Sequence, residues 1–85
     1  MIIVSQDNKK IFNFNNISLI FIQHENEIWI DTEKTCNLLG KYATEQRAKE
    51  VLQEIITHYR DYRTAECDGY TNVLQETAVF EIPEK

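Results

Sequence analysis

Thr44-Glu45-Gln46-Arg47-Ala48-Lys49-Glu50-Val51-Leu52-Gln53-Glu54-Ile55-Ile56-Thr57-His58-Tyr59-Arg60-Asp61-Tyr62-Arg63 is the stretch whose spacing decides the fold. Ala48, Val51, Leu52, Ile55, Ile56, Tyr59 and Tyr62 recur at three- and four-residue steps, the period of an amphipathic helix. Thr44 is a natural N-cap, and Glu45 places a negative charge at the positive pole. Glu45 and Lys49 stand one turn apart and can pair. Arg60 and Arg63 suit the negative pole. A helix from Thr44 to about Arg63 is roughly 30 Å long, enough to cross a small sheet.

Upstream the period is that of strands. Ile2-Ile3-Val4 runs into the turn cluster Ser5-Gln6-Asp7-Asn8. Lys10–Phe14 follows, then a bend at Asn13, Asn15 and Asn16. Ile17–Gln23 is the strongest strand signal and is apolar on both faces except at Ser18, so its second face needs a second layer. His24-Glu25-Asn26-Glu27 is a polar connection to Ile28-Trp29-Ile30, and after the turn at Asp31–Lys34 a strand from Thr35 to Tyr42 closes the meander. Gly40 inside that strand predicts a bulge or a close backbone approach. Downstream, Thr64–Glu76 reads as loop or a marginal hairpin strand around Asp68-Gly69, and Thr77–Ile82 as a last strand ended by Pro83. The expected class is α+β, a single domain over 1–85: an antiparallel meander of about five strands, one long amphipathic helix across it, and a returning C-terminal strand.

The junction Leu39-Gly40-Lys41-Tyr42-Ala43-Thr44-Glu45-Gln46-Arg47-Ala48-Lys49-Glu50-Val51-Leu52-Gln53-Glu54-Ile55 resembles a family of small proteins from phages and prophages of Gram-positive bacteria. Members also tend to open like Ile2-Ile3-Val4-Ser5-Gln6-Asp7 and to finish like Phe80-Glu81-Ile82-Pro83-Glu84. The resemblance covers nearly the whole chain apart from Thr64–Glu76. It implies a mobile-element origin and a role against host defence, after the manner of the Thoeris anti-defence sponges that sequester nucleotide immune signals. No binding motif of those sponges is matched residue by residue, so no site is carried over from them.

Composition narrows the chemistry. Nine basic against fourteen acidic residues give a net charge of −5, which argues against duplex DNA, whose binding runs on Lys and Arg neutralising phosphates. The longest apolar run, Ile17–Ile22, is too short to span a membrane. Cys36 and Cys67 share no metal-type spacing, and no signal peptide is evident, so the expected setting is cytoplasmic (the host cell's, for a phage protein) with reduced thiols. A core this small gains from self-association, and a homodimer or higher homo-oligomer is expected.

No catalytic motif is legible. A nucleophile needs an oriented base, and the only histidines are His24 in a hairpin connection and His58 on the helix's polar flank, both read as exposed. Cys36 and Cys67 read as packing thiols. The expectation is a binding protein without catalytic residues, cofactor or metal. Glu25, Glu27, Asp31 and Glu33 crowd two neighbouring turns but lack the alternating spacing and central Gly of a calcium loop; they read as a solvated, acidic hairpin edge. Tyr59, Arg60, Tyr62 and Arg63, with Tyr70 further on, combine rings that can stack on bases with forks that can grip phosphate. The plain reading gives the same residues a core cap and ordinary dipole partners. Trp29 points away from Ile28 and Ile30, and an apolar outer face shared with Ile20 and Ile22, or alternatively with Leu19 and Phe21, would be a partner interface. The alternatives to a nucleotide-like ligand are an acidic protein–protein inhibitor of a host defence nuclease, of the anti-CRISPR kind, working through the turn carboxylates, or a small structural or regulatory subunit.

Overall fold

A computed structural model describes residues 1–68 and 78–85, with the side chains of 65–68 left aside. The strands are β1 (Ile2–Val4), β2 (Ile11–Asn13), β3 (Ile17–Gln23), β4 (Glu27–Thr32), β5 (Cys36–Lys41) and β6 (Val79–Glu81); the helix α1 spans Glu45–Asp68. The class is α+β, with a strand-rich body and one long helix packed across it. Tyr70 and most of Thr64–Glu76 lie outside the described residues.

The strands form two three-stranded sheets, β2-β1-β6 and β3-β4-β5, where the sequence suggested one meander and a return. The division falls at the predicted bend. A 3-10 turn over Phe14–Asn16 separates β2 from β3, and Asn13 begins it by accepting a hydrogen bond from the Asn15 amide at 2.9 Å. In the first sheet β1 is central, antiparallel to β2 and parallel to β6. A parallel neighbour requires a long crossover, and α1 lies within the connection between β5 and β6. The second sheet is the antiparallel meander, with register Ile20↔Ile30, Phe21↔Trp29 and Trp29↔Leu38.

The core lies where the sheets meet the helix. Ile3 from β1, Ile28 and Ile30 from β4, Leu39 from β5, Ala48, Val51 and Ile55 from α1, and Ile82 after β6 are all buried. Thr44 caps α1 as expected, its Oγ1 accepting from the Arg47 amide at 3.1 Å, and Lys49 pairs with Glu45 at 3.0 Å. The helix continues to Asp68 rather than stopping near Arg63. Thr64 to Asp68 holds no Gly or Pro, so nothing in that run breaks a helix before Gly69.

Gly40 lies at a bulge, one of the two alternatives its sequence position offered, and it is side chains rather than another backbone that close over it. The pairing steps from Ile28↔Gly40 to Trp29↔Leu38, leaving Leu39 as the extra residue of a bulge. A Cβ at Gly40 would stand 3.1 Å from Ile82 Cγ2 and 3.2 Å from the Tyr42 hydroxyl, so only the smallest residue fits there without displacing a side chain. The Leu39 carbonyl exposed by the bulge accepts from the Gln6 amide at 2.9 Å, which ties the two sheets together.

Gln6, Tyr42 and Arg47 then hold the C-terminal segment. The Gln6 amide group donates to the carbonyls of Lys41, Pro83 and Glu84 at 3.0, 3.2 and 3.0 Å, and its Oε1 accepts from the Lys41 amide at 2.8 Å. Tyr42 donates its hydroxyl to the Pro83 carbonyl at 2.8 Å, and Arg47 Nε donates to the Lys85 carbonyl at 3.1 Å. Beside this clamp, Ser5 Oγ donates to Asp7 at 2.6 Å and the Lys9 amide donates to the same oxygen at 3.0 Å. Those two bonds, the serine's first, hold the Asp7 carboxyl below its ordinary range.

Candidate functional site

The helix group comes apart into two environments. Tyr59 and Tyr62 are half-buried against the core. Phe14, carried inward by the 3-10 turn, stacks on Tyr59 with centroids 4.4 Å apart, and Tyr59 and Tyr62 stand 6.4 Å apart. Arg60 and Arg63 are both exposed; Arg63 stands one turn on from Tyr59 at the border of this ladder, whereas Arg60 projects about 100° round the helix from Tyr59 and away from Tyr62. Because α1 runs to Asp68, neither lies in its last turn, which carries no basic residue. The macrodipole is felt mainly within the last turn, so the dipole explanation for Arg60 no longer applies. Arg60 also has no ion pair with any described residue. Phe14 escaped the sequence reading because a single aromatic at a bend carries no periodicity.

His58 is half-buried rather than exposed, a correction to the polar-flank reading. Its ring meets Phe80 edge-on at 4.9 Å, and Nε2 is buried without a hydrogen-bond partner among the described residues. The parallel β6 strand supplies Phe80, and nothing local to α1 foretold it. His58 and Phe80 border a shallow groove of about 450 Å³ whose remaining wall includes Glu50, Glu54 and Asp61.

The outer face of the meander is settled by register. Ile20 and Ile22 pair with Ile30 and Ile28 on the inner side and pack against the core, so they do not share Trp29's face. That corrects the interface drawn as Ile20, Ile22 and Trp29. The residues beside Trp29 are Phe21 and Leu38, with Leu19 one pair further along. Leu19 is 53% exposed and Leu38 40%, and neither Phe21 nor Trp29 is part of the core. Trp29 donates its Nε1–H to Glu27 at 3.0 Å, and Glu27 stands 3.9 Å from Lys41.

The four carboxylates do not form one cluster. Glu25 and Glu27 lie at one end of β4, Asp31 and Glu33 at the other, and no metal-holding group of acidic, His or Cys side chains occurs among the described residues. Glu25 occupies a left-handed position (φ 71°) beside His24 (φ 56°), in a turn that keeps it exposed. Cys36 is exposed, not packed, as an outward residue at the start of β5. A hydrogen bond with Asp31 raises its thiol pKa, which leaves it less thiolate at neutral pH. The Cys67 side chain lies outside the described residues.

A second groove lies elsewhere, at the seam between the sheets. This open groove of about 690 Å³ is bordered by β2, the 3-10 turn, the start of β3 and the turn between β4 and β5. The last of these is braced by the Thr32 and Thr35 hydroxyls, 3.0 Å apart, and by the Thr32 amide donating to the Thr35 carbonyl at 2.8 Å. Among the described residues no helix is long and apolar enough to cross a membrane. No family model matches the chain, and neither the curated proteins nor the solved structures give a match.

Proposed function

We propose that this chain is a phage-type accessory protein that acts by binding, without chemistry of its own, and counters host defence by sequestering a nucleotide-derived signal. The observation that carries this reading is the Phe14–Tyr59–Tyr62 ladder with the exposed Arg63 one turn on from Tyr59, while Arg60, exposed and without an ion pair among the described residues, adds a second cation on the neighbouring face. A guanidinium placed at the border of stacked rings suits a ligand that joins a phosphate to a base. Titration by calorimetry against cyclic nucleotides and ADP-ribose-derived compounds should give binding that Arg60→Ala or Arg63→Ala abolishes, with an unchanged far-UV dichroism spectrum. Wild-type protein that ignores the whole panel, or variants that bind as tightly as wild type, would remove the helix group as the site.

A second reading rests on the apolar outer face of Leu19, Phe21, Trp29 and Leu38. Burying that face against another copy would supply apolar area that so small a core lacks, and this is where a homo-oligomer would form. Light scattering behind size exclusion should then report an assembly in wild type and a monomer for Trp29→Glu. A monomeric wild type at micromolar concentration counts against it. The acidic-inhibitor alternative draws less support, because its carboxylates are divided between the two ends of β4 and offer no single patch.

A further inference from the structure

Part of the lining of the groove at the sheet seam makes no bond within the fold. Ile11 is 66% exposed on edge strand β2 and, with half-buried Phe12 and Ile17, supplies the groove's apolar surface. Around it stand Asn13, Asn15, Asn16, Ser18 and Lys34. The Asn13 carbonyl oxygen is engaged in the 3-10 turn, while the side chains of Asn15, Asn16, Ser18 and Lys34 bond to no described residue. At about 690 Å³ the space falls within the range of small-molecule sites, which pair an apolar floor with a few convergent polar groups.

The lining also narrows the ligand. Asn amides and a Ser hydroxyl both donate and accept, the pairing that sugar hydroxyls require. Lys34 and Glu33 are the charged residues on the rim and cancel, so a polyphosphate finds no complement there. The exposed aliphatic side chain of Ile11 suits the C–H face of a saturated ring. We infer that this groove is a binding site for a compact ring carrying vicinal hydroxyls, either a free sugar or the ribose of a nucleoside. It is separate from the helix group and does not depend on the reading of Arg60.

Side-chain amide resonances make the test local. In ¹⁵N-correlated NMR spectra of the full chain, the NH₂ signals of Asn13, Asn15 and Asn16 should shift on titration with adenosine and with methyl riboside. Adenosine shifting them at lower concentration than the riboside assigns a nucleoside; equal potency assigns the sugar alone. 2′-Deoxyadenosine should bind more weakly than adenosine by about three- to tenfold, the worth of one or two hydrogen bonds. The double variant Asn16→Ala/Ser18→Ala, at exposed positions with no hydrogen bond to lose, should keep the wild-type spectrum and lose the response. Silence of the three amides toward both probes to millimolar concentration, or equal affinity for the deoxy compound, would overturn the inference. A base stacked on Phe14 and Tyr59 would also disturb the neighbouring Asn13 and Asn15 amides, so the double variant separates the two sites: a response that survives Asn16→Ala/Ser18→Ala belongs to the helix group and overturns the groove.

Discussion

Ile30→Ala should lower the midpoint of thermal unfolding by roughly 10–30 °C, the largest effect expected of an aliphatic truncation here. Ile30 is fully buried on the central strand of the meander, opposite Ile20 on β3, and belongs to the core that Val51 and Ile55 of α1 complete. Removing three carbons from such a site costs about 2–5 kcal/mol, the transfer free energy plus the cavity left behind. Domains hold only about 5–15 kcal/mol in total, and a chain of this length sits toward the low end. The loss is therefore a large fraction of what holds the fold. Leu19→Ala is the matched control, because Leu19 lies on β3's outer side and is 53% exposed; it should cost under about 1 kcal/mol. Dichroism melts of the two variants give the comparison directly. Equal losses would mean that the inner and outer faces of the meander are wrongly assigned.

Tyr42 should show the second large effect, and one that divides into parts. Its side chain is 4% exposed, lies under the Arg47 guanidinium at 5.9 Å, and donates to the Pro83 carbonyl. Its backbone is also fixed, the amide donating to the Asn26 carbonyl and the carbonyl accepting from the Asn26 side chain. Tyr42→Ala should cost about 3–5 kcal/mol in denaturant unfolding, as for other buried aromatics. Tyr42→Phe keeps the ring and loses one hydrogen bond, at about 1 kcal/mol.

The pH dependence separates the hydroxyl from the ring. Burial pushes the Tyr42 phenol from 10.0 up to about 12. A raised pKa means that the unfolded chain gives up this proton first. Its contribution is therefore complete below pH 10 and is lost as pH rises from 10 toward about 12. Wild type should destabilise more steeply than Tyr42→Phe across that window, and the same slope for both would place the phenol in water.

The contrast between these two residues shows what kind of information each carries in the sequence. That Ile30 and Trp29 face opposite ways was readable because side chains alternate along a strand; that Ile30's side is the core came from the packing. Tyr42 was readable only as the end of a strand. Its partners, Asn26, Arg47 and Pro83, are 16, 5 and 41 residues away, and no local pattern encodes such a meeting. The candidate sites divide the same way. Tyr59, Arg60, Tyr62 and Arg63 could be picked out by residue type and helical spacing. The ring that stacks on Tyr59, the burial of His58 beneath Phe80, and the separation of the carboxylates to the two ends of β4 could not.

Sequence by itself determined the secondary structure: six strands near their observed positions, a helix started by Thr44, a bulge at Gly40 and a bend at the asparagines. Those features follow from steric preference, capping and periodicity, which act over a few residues. Tertiary structure alone decided that the strands divide into two sheets, that β6 returns parallel to β1, that Leu19 and Phe21 rather than Ile20 and Ile22 accompany Trp29, and that a groove opens at the seam. Each of these depends on register or on contacts between distant segments. A register shift of one residue exchanges every inward side chain for an outward one. For Ile17–Ile22, apolar on both faces, only the packed core could choose between them.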